Sequence, residues 1–443
     1  MTTKQRSSFR DPRLDFFRGV AMFIILLAHT PGNTWTLWIP ARWGFSDATE
    51  IFVFCSGMAS ALAFGAVFAN RGWTMGTIRV AHRVWQVYWS HIAMFFAVLF
   101  LVIALNHTGL TPEKDQVGRL NLYPFLNNAG DNLLGLMTLT YVPNYFDILP
   151  MYLVILCLIP VMMGLSRLSV WAVFALMFAL WLPTQIGRWH ANGVEGLEAL
   201  IPYVSILDLP AQYWFNPPNN TREWFFNPFA WQLVFFTGFA LMRGWIPAPP
   251  VRWWLILPAL ALVLANVVVS NVGVRIWTFD AVRGLGWDWT SQWRAAVIDW
   301  RVENRHLFSK TDIGVLRYLH FLALAYLAWA AAGPGGKYLS MGAVWTAVVT
   351  VVRKVGQQSL AVFVTSMVLA RFLGFLMDIY AVREGMPKDP IIVALINLFG
   401  FAVIIATAYT VAWFKAEPWR KPPPPQRDEP QILGGAPLWE RAA

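Results

Sequence analysis

The chain has 443 residues, of which 57% are hydrophobic and 13% charged, with 25 tryptophans and a mean hydropathy of +0.49. That balance excludes a soluble globular domain, so the net charge of +10 is read as basic residues at membrane boundaries and not as a nucleic-acid surface. Two cysteines, Cys55 and Cys157, sit in apolar runs; they exclude a disulfide framework and a cysteine metal site, and both are expected to pack.

Ten apolar stretches of spanning length follow in chain order, centred on 16–31, 48–69, 83–105, 146–165, 169–186, 227–243, 253–270, 315–332, 357–377 and 390–414. The expected fold is an all-α integral membrane protein of about ten transmembrane helices. No cleavable signal opens the chain, so the first helix is expected to serve as the insertion signal. Counted from inside, the cytoplasmic segments carry Lys4, Arg6, Arg10 and Arg13; Arg71, Arg79 and Arg83; Arg167; Arg243 and Arg252; Lys337, Arg353 and Lys354; and Lys415, Arg420 and Lys421. The outside connections hold fewer cations, which places both termini in the cytoplasm. The expected division is a cytoplasmic segment over 1–15, a transmembrane domain over 16–414 and a Pro-rich cytoplasmic tail over 415–443. Residues 132–143 are too short to span, and 340–352 read as an interfacial helix. Long outside loops near 106–131, 187–226 and 271–313 are rich in Trp, Asn, Asp and Arg. They read either as a carbohydrate-binding face or as an interfacial aromatic belt.

Within the first stretch, DFFRGVAMFIILLAHT, eleven residues separate Arg18 from His29. On a helix that is three turns plus about 20°, so the two share a face roughly 16 Å apart along the axis. Asp15 and Ile25 lie on the same side. Ionisable groups at bilayer depth are costly and usually face a wet interior, so this face is expected to wall a tunnel with a cation near one membrane surface and an imidazole near the other. A neutral imidazole is suited to general acid–base work near neutral pH. Asp47 and Glu50, at the start of the second helix, are candidates to orient its second nitrogen; for Asp47 the competing reading is a helix N-terminal charge. Arg79 and Arg83 lie four residues apart on one helix face and read as boundary cations, while Arg18 lies deeper with Asp15 one turn away. Lys310, Arg317 and His320 cluster with Asp312 at the outer end of the eighth stretch, and Arg371 stands in the ninth with Asp378 as a candidate partner. These four basic residues are candidate substrate ligands. Gln357, Gln358 and Ser359 are expected to join helices.

The run RLDFFRGVAMFIILLAH resembles the first-helix motif of the integral-membrane acyltransferase-3 superfamily. Together with DATEIFVFCSGMASAL, RVAHRVWQVY, FDILPMYLVIL, FNPFAWQLVFFTG, SKTDIGVLRYLHFLALAY and VGQQSLAVF, it is similar to the OpgC family from about Asp11 to Trp413. That resemblance implies a multi-pass acyltransferase of the bacterial inner membrane that moves a succinyl group from cytosolic succinyl-CoA to hydroxyls of periplasmic glucans. His29 would act as general base with Glu50 or Asp47 beside it. Arg18, Arg79 and Arg83 would hold the acyl-CoA, and Lys310, Arg317, His320 and Arg371 the substrate. Asp147 lies where the superfamily carries a Glu, in a different register. The expected partners are acyl-CoA, the glucan and the bilayer, with no metal, no permanently bound cofactor and no nucleic acid. Two alternatives stay open: an O-acetyltransferase of another envelope polysaccharide, and a glycan or anion transporter using His29 in a proton relay.

Overall fold

The computed structural model describes residues 11–211, 222–270, 272–273, 289–382 and 388–420. Lys4, Arg6, Arg10, Lys421, the Pro-rich tail beyond residue 420, and residues 212–221, 271 and 274–288 of the long loop stretches lie outside the described residues. Among the described residues the secondary structure is helical, with one isolated bridge between Pro210 and Glu223. Eleven helices of fifteen or more residues follow in order: α1 (Pro12–His29), α2 (Ala48–His107), α3 (Ile148–Leu165), α4 (Val170–Ala191), α5 (Pro228–Arg243), α6 (Trp253–Val268), α7 (Trp289–Glu303), α8 (Val315–Ala332), α9 (Ala343–Gln357), α10 (Ser359–Tyr380) and α11 (Pro390–Lys415).

Local chemistry sets the ends of the elements that matter for function. Asp11 caps α1 by accepting from the Arg13 amide at 2.9 Å, with Pro12 at the first helical position. The helix stops at His29, because Thr30 turns extended and is followed by Pro31 and by Gly32 at φ +71°. Asp47 and Glu50 form a capping box at the start of α2: Asp47 Oδ1 accepts from the Thr49 amide at 2.7 Å and Glu50 Oε2 from the Asp47 amide at 2.8 Å. Sixty residues long, α2 is broken at Gly72 (φ +80°, ψ 176°), a backbone that only glycine adopts without strain. The kink falls between the expected spans 48–69 and 83–105, which form its two arms.

Among the described residues, six helices (α2, α3, α4, α8, α10 and α11) are long and apolar enough to cross a membrane, and a seventh span results if Pro334–Ser340 and α9, bent by 119°, count as one. By length and composition alone this count does not confirm the expected ten, and it takes α2 once although Gly72 divides it into two arms. Eighteen-residue α1 carries Arg13, Asp15 and Arg18, while α5 and α6 have sixteen residues each, short of a full crossing. Against α1 lies α9, at a distance only glycine permits: a Cβ on Gly19 would stand 2.0 Å from the Val352 carbonyl oxygen, and one on Gly356 1.9 Å from that of Asp15. Polar links tie α1 to α9 and to α10, with Gln357 Nε2 donating to Asp15 Oδ2 at 3.2 Å and Arg18 donating to Ser359 Oγ. Gln358 accepts from Lys415 Nζ at 2.7 Å. The glutamine–serine trio thus bonds helix to helix. Of the two cysteines, Cys55 is buried, whereas Cys157 points outward from α3.

Candidate functional site

Two cavities lie along the same helices. The larger, of about 1080 Å³, is lined by Arg18, Arg79, Arg83, Arg243 and Lys415, and by Ser56, Ser60, Gln86, Ser90, Tyr152, Gln357, Gln358 and Ser359. Five cations face it and its lining holds no carboxylate. All three predicted phosphate-holding residues are among them: Arg18 from the middle of α1, Arg79 and Arg83 from the arm of α2 beyond Gly72. Arg243, at the end of α5, and Lys415, at the end of α11, were legible only as boundary charges. Nothing in one dimension places them beside Arg18.

The smaller cavity, about 310 Å³, belongs to His29, with Ile25, Thr49, Asn144, Tyr145, Asp147, Phe225, Phe226, Lys310, Phe363 and Met367. His29 Nδ1 lies 2.8 Å from the Ile25 carbonyl oxygen. A carbonyl only accepts, so Nδ1 carries the proton, and the neutral ring keeps its lone pair at Nε2. Neither Asp47 nor Glu50 orients the imidazole: the backbone one turn back does so. The reason is that both carboxylates are already engaged. Besides capping α2, Asp47 pairs with Lys310 at 2.5 Å and Glu50 with Arg317 at 2.6 Å. Burial pushes the Asp47 carboxyl up, but the Lys310 and Arg317 charges outweigh it and hold the group below the usual carboxylate range.

Tyr145 stands edge-on to His29 with ring centroids 5.4 Å apart, and its hydroxyl donates to the Met367 carbonyl at 2.5 Å. Its φ of +92° is unusual for an aromatic residue, and such backbone strain concentrates at functional sites. Tyr145 and Asn144 carried no sequence signal. Asp147 lines the chamber and accepts from the Phe225 amide at 3.2 Å; burial, partly offset by Arg222, pushes its carboxyl up to about 6.

Of the predicted substrate ligands, only Lys310 reaches the chamber wall. His320 is buried against Phe45 and meets Ser46 Oγ at 2.8 Å through Nδ1, so it holds the loop before α2 and does not face the cavity. Arg317 is occupied by Glu50 and the Phe308 carbonyl. Asp312 is taken by Arg188 at 2.6 Å. Arg371 is buried one turn beyond Met367 and does not pair with Asp378, which is held by Lys114 at 2.8 Å and Lys388 at 3.3 Å. Among the described residues no cluster of His, Cys, Asp and Glu suits a metal ion.

The continuous tunnel expected along α1 is instead divided. On α1, Arg18, Met22, Ile25 and His29 share a face; on α2, Thr49, Phe52, Ser56 and Ser60 do; on α10, Ser359, Phe363 and Met367 do. The ends of these rows line one cavity or the other, and between them Phe52 stacks on Phe363 with centroids 5.9 Å apart and planes at 16°. Met22, midway along the α1 row, is fully buried. Apolar side chains this large fill the core where the rows converge, which leaves a vestibule and a chamber. In comparisons with known proteins, a family model described as OpgC protein matches residues 10–416. No curated protein and no solved structure matches.

Proposed function

The chain belongs to the OpgC family, whose members are transferases acting on glucans, and from that premise we propose that it moves a succinyl group from succinyl-CoA to hydroxyls of periplasmic glucans with His29 as general base. The observation that carries this reading is the shared-face arrangement of a cation-lined vestibule at Arg18 and a chamber at His29 whose Nε2 is free to take a proton. Arg18, Arg79, Arg83, Arg243 and Lys415 would hold the nucleotide phosphates as charge-assisted pairs, on the cytoplasmic side of the inner membrane. The pantetheine arm would pass the aromatic stack and present its thioester in the chamber. Nε2 then takes the proton of a sugar hydroxyl as the oxygen attacks the thioester carbonyl. The tetrahedral intermediate collapses, the carbon–sulfur bond breaks, and the imidazolium returns its proton to the departing thiolate. The Ile25 carbonyl keeps the ring in the required tautomer throughout.

One observation favours the acetyl alternative: Lys310 and Arg317 are both neutralised by carboxylates, so neither is spare for a dicarboxylic chain. The test is transfer of label from radiolabelled acyl-CoA to glucan by the purified protein. We expect succinyl transfer that falls by about 10²–10⁴ in kcat for His29→Ala, with KM for the donor little changed. Unaltered transfer in that variant would remove the base. Preference for acetyl-CoA would select the alternative, and glucan movement across vesicles without labelled product would point to a transporter.

A further inference from the structure

We propose that Arg371 and Gln116 form a carboxylate-binding site beside the His29 chamber, and that its ligand is the distal carboxylate of a dicarboxylic acyl donor. This rests on the acyltransferase reading above and names the residue that sets its donor preference.

Arg371 follows Met367 by one turn on the same face of α10, and Met367 lines the chamber. Its side chain is buried, at 5% exposure, and Gln116 at 2%. Arg371 Nη2 donates to Gln116 Oε1 at 3.0 Å, yet Arg371 Nε and Gln116 Nε2 are buried donors with no acceptor among the described residues. No carboxylate of the described residues stands within ion-pair distance of this guanidinium. Asp378, the acid expected to serve it, is instead bound through Oδ1 by Lys114 and Lys388, with Arg119 3.9 Å from its Oδ2. A buried guanidinium without a counter-ion is costly, and orphaned buried donors in a native structure call for an explanation. A carboxylate supplies what is missing, since it offers two oxygens to a guanidinium edge and can take a further bond from the adjacent amide.

Tyr145 links this pair to the chemistry. Its ring lies 5.8 Å from the Arg371 guanidinium carbon and 5.4 Å from the His29 ring. Three carbon–carbon bonds separate the two carbonyl carbons of a succinyl group, so a chain lying along the Tyr145 ring would present one end to each residue. The remaining basic candidates are occupied: Lys310 by Asp47, Arg317 by Glu50 and His320 by Ser46.

The same chemistry, an anionic oxygen, would also be offered by a charged substituent on the glucan, and the experiment separates the two. Initial rates are measured on the full chain with succinyl-CoA and with butyryl-CoA, which replaces the carboxylate by a methyl group, on neutral and on anionic glucan. Arg371→Gln is expected to lose about 10–100-fold in kcat/KM for succinyl-CoA, on either glucan, and to keep butyryl transfer within about threefold. Gln116→Ala should lose less in the same direction. An unchanged succinyl rate would overturn the site; a loss shared by both donors and confined to anionic glucan would move the ligand to the acceptor and overturn the donor assignment. Should Arg371→Gln fail to fold, Arg371→Lys and the wild type are compared for thermal stabilisation by sodium succinate against sodium butyrate at equal ionic strength. Absence of a succinate-specific shift in the wild type would refute the proposal, whereas a shift without any acyl transfer would refute only the transferase reading.

Discussion

Glu50 and Arg317 meet at 2.6 Å with the carboxylate fully buried, so each is tolerable only because of the other. Arg317→Ala leaves a buried charge uncompensated and should cost about 3–5 kcal/mol, read as a lowered thermal midpoint in detergent. Adding Glu50→Gln should recover part of that loss; strictly additive effects would show that the pair is not coupled. Asp147 offers a pH-dependent counterpart. Its carboxyl is pushed up to about 6 by burial, above its ordinary 3.8, so its contribution to stability is complete below 3.8 and is lost as pH rises through 6. Wild-type stability should fall by up to about 3 kcal/mol between pH 4 and pH 7 on this account. Asp147→Asn, which keeps an acceptor for the Phe225 amide, should flatten that slope; an unchanged slope would assign it to other groups. At this scale the sequence made the buried acids and bases visible as chemistry out of place in apolar runs. It did not reveal their pairing, because Glu50 and Arg317 stand 267 positions apart.

The Arg18–His29 face of α1 and the first turns of α2 and α10 face the same space, and their glycines and aromatics decide how much of it stays open. Phe52 and Phe363 divide vestibule from chamber. Phe52→Ala should let water follow the acyl arm, raising acyl-CoA hydrolysis relative to transfer several-fold, which is measured as thiol release without labelled glucan. An unchanged hydrolysis-to-transfer ratio would mean that the stack is not the barrier. Helix existence was plain from hydropathy, and the spacing of Arg18 and His29 holds as read: each reaches a cavity on the same face of α1. Two features at this level were hidden. The kink at Gly72 keeps the stretches 48–69 and 83–105 as two arms of one helical run, and α9 bends 119° from Pro334–Ser340 to lie on α1. Both depend on a neighbour's backbone or on one residue's torsion, neither of which alters average hydropathy.

Across the whole molecule, charge gathers where the vestibule is. Arg18 and Arg83 come from different helices, Arg243 and Lys415 from two more, and none of the lining residues is acidic. Single Arg79→Ala and Arg83→Ala replacements should each raise KM for acyl-CoA several-fold with kcat held, and the effect should shrink as ionic strength rises. A fall in kcat at unchanged KM would place these residues with the chemistry and not with nucleotide binding. The sequence by itself determined that the protein is helical and membrane-embedded, and which ionisable residues are expensive enough to require a purpose, because burial in lipid is a property of local composition. Only the tertiary structure decided which of those charges cancel and which stay available. Lys310, Arg317 and His320 find partners inside the fold, Arg371 finds an amide and no acid, and His29 takes its orientation from its own backbone. Electrostatic and hydrogen-bond energies depend on distances of a few ångströms between residues remote in the chain, and those distances exist only once the helices have packed.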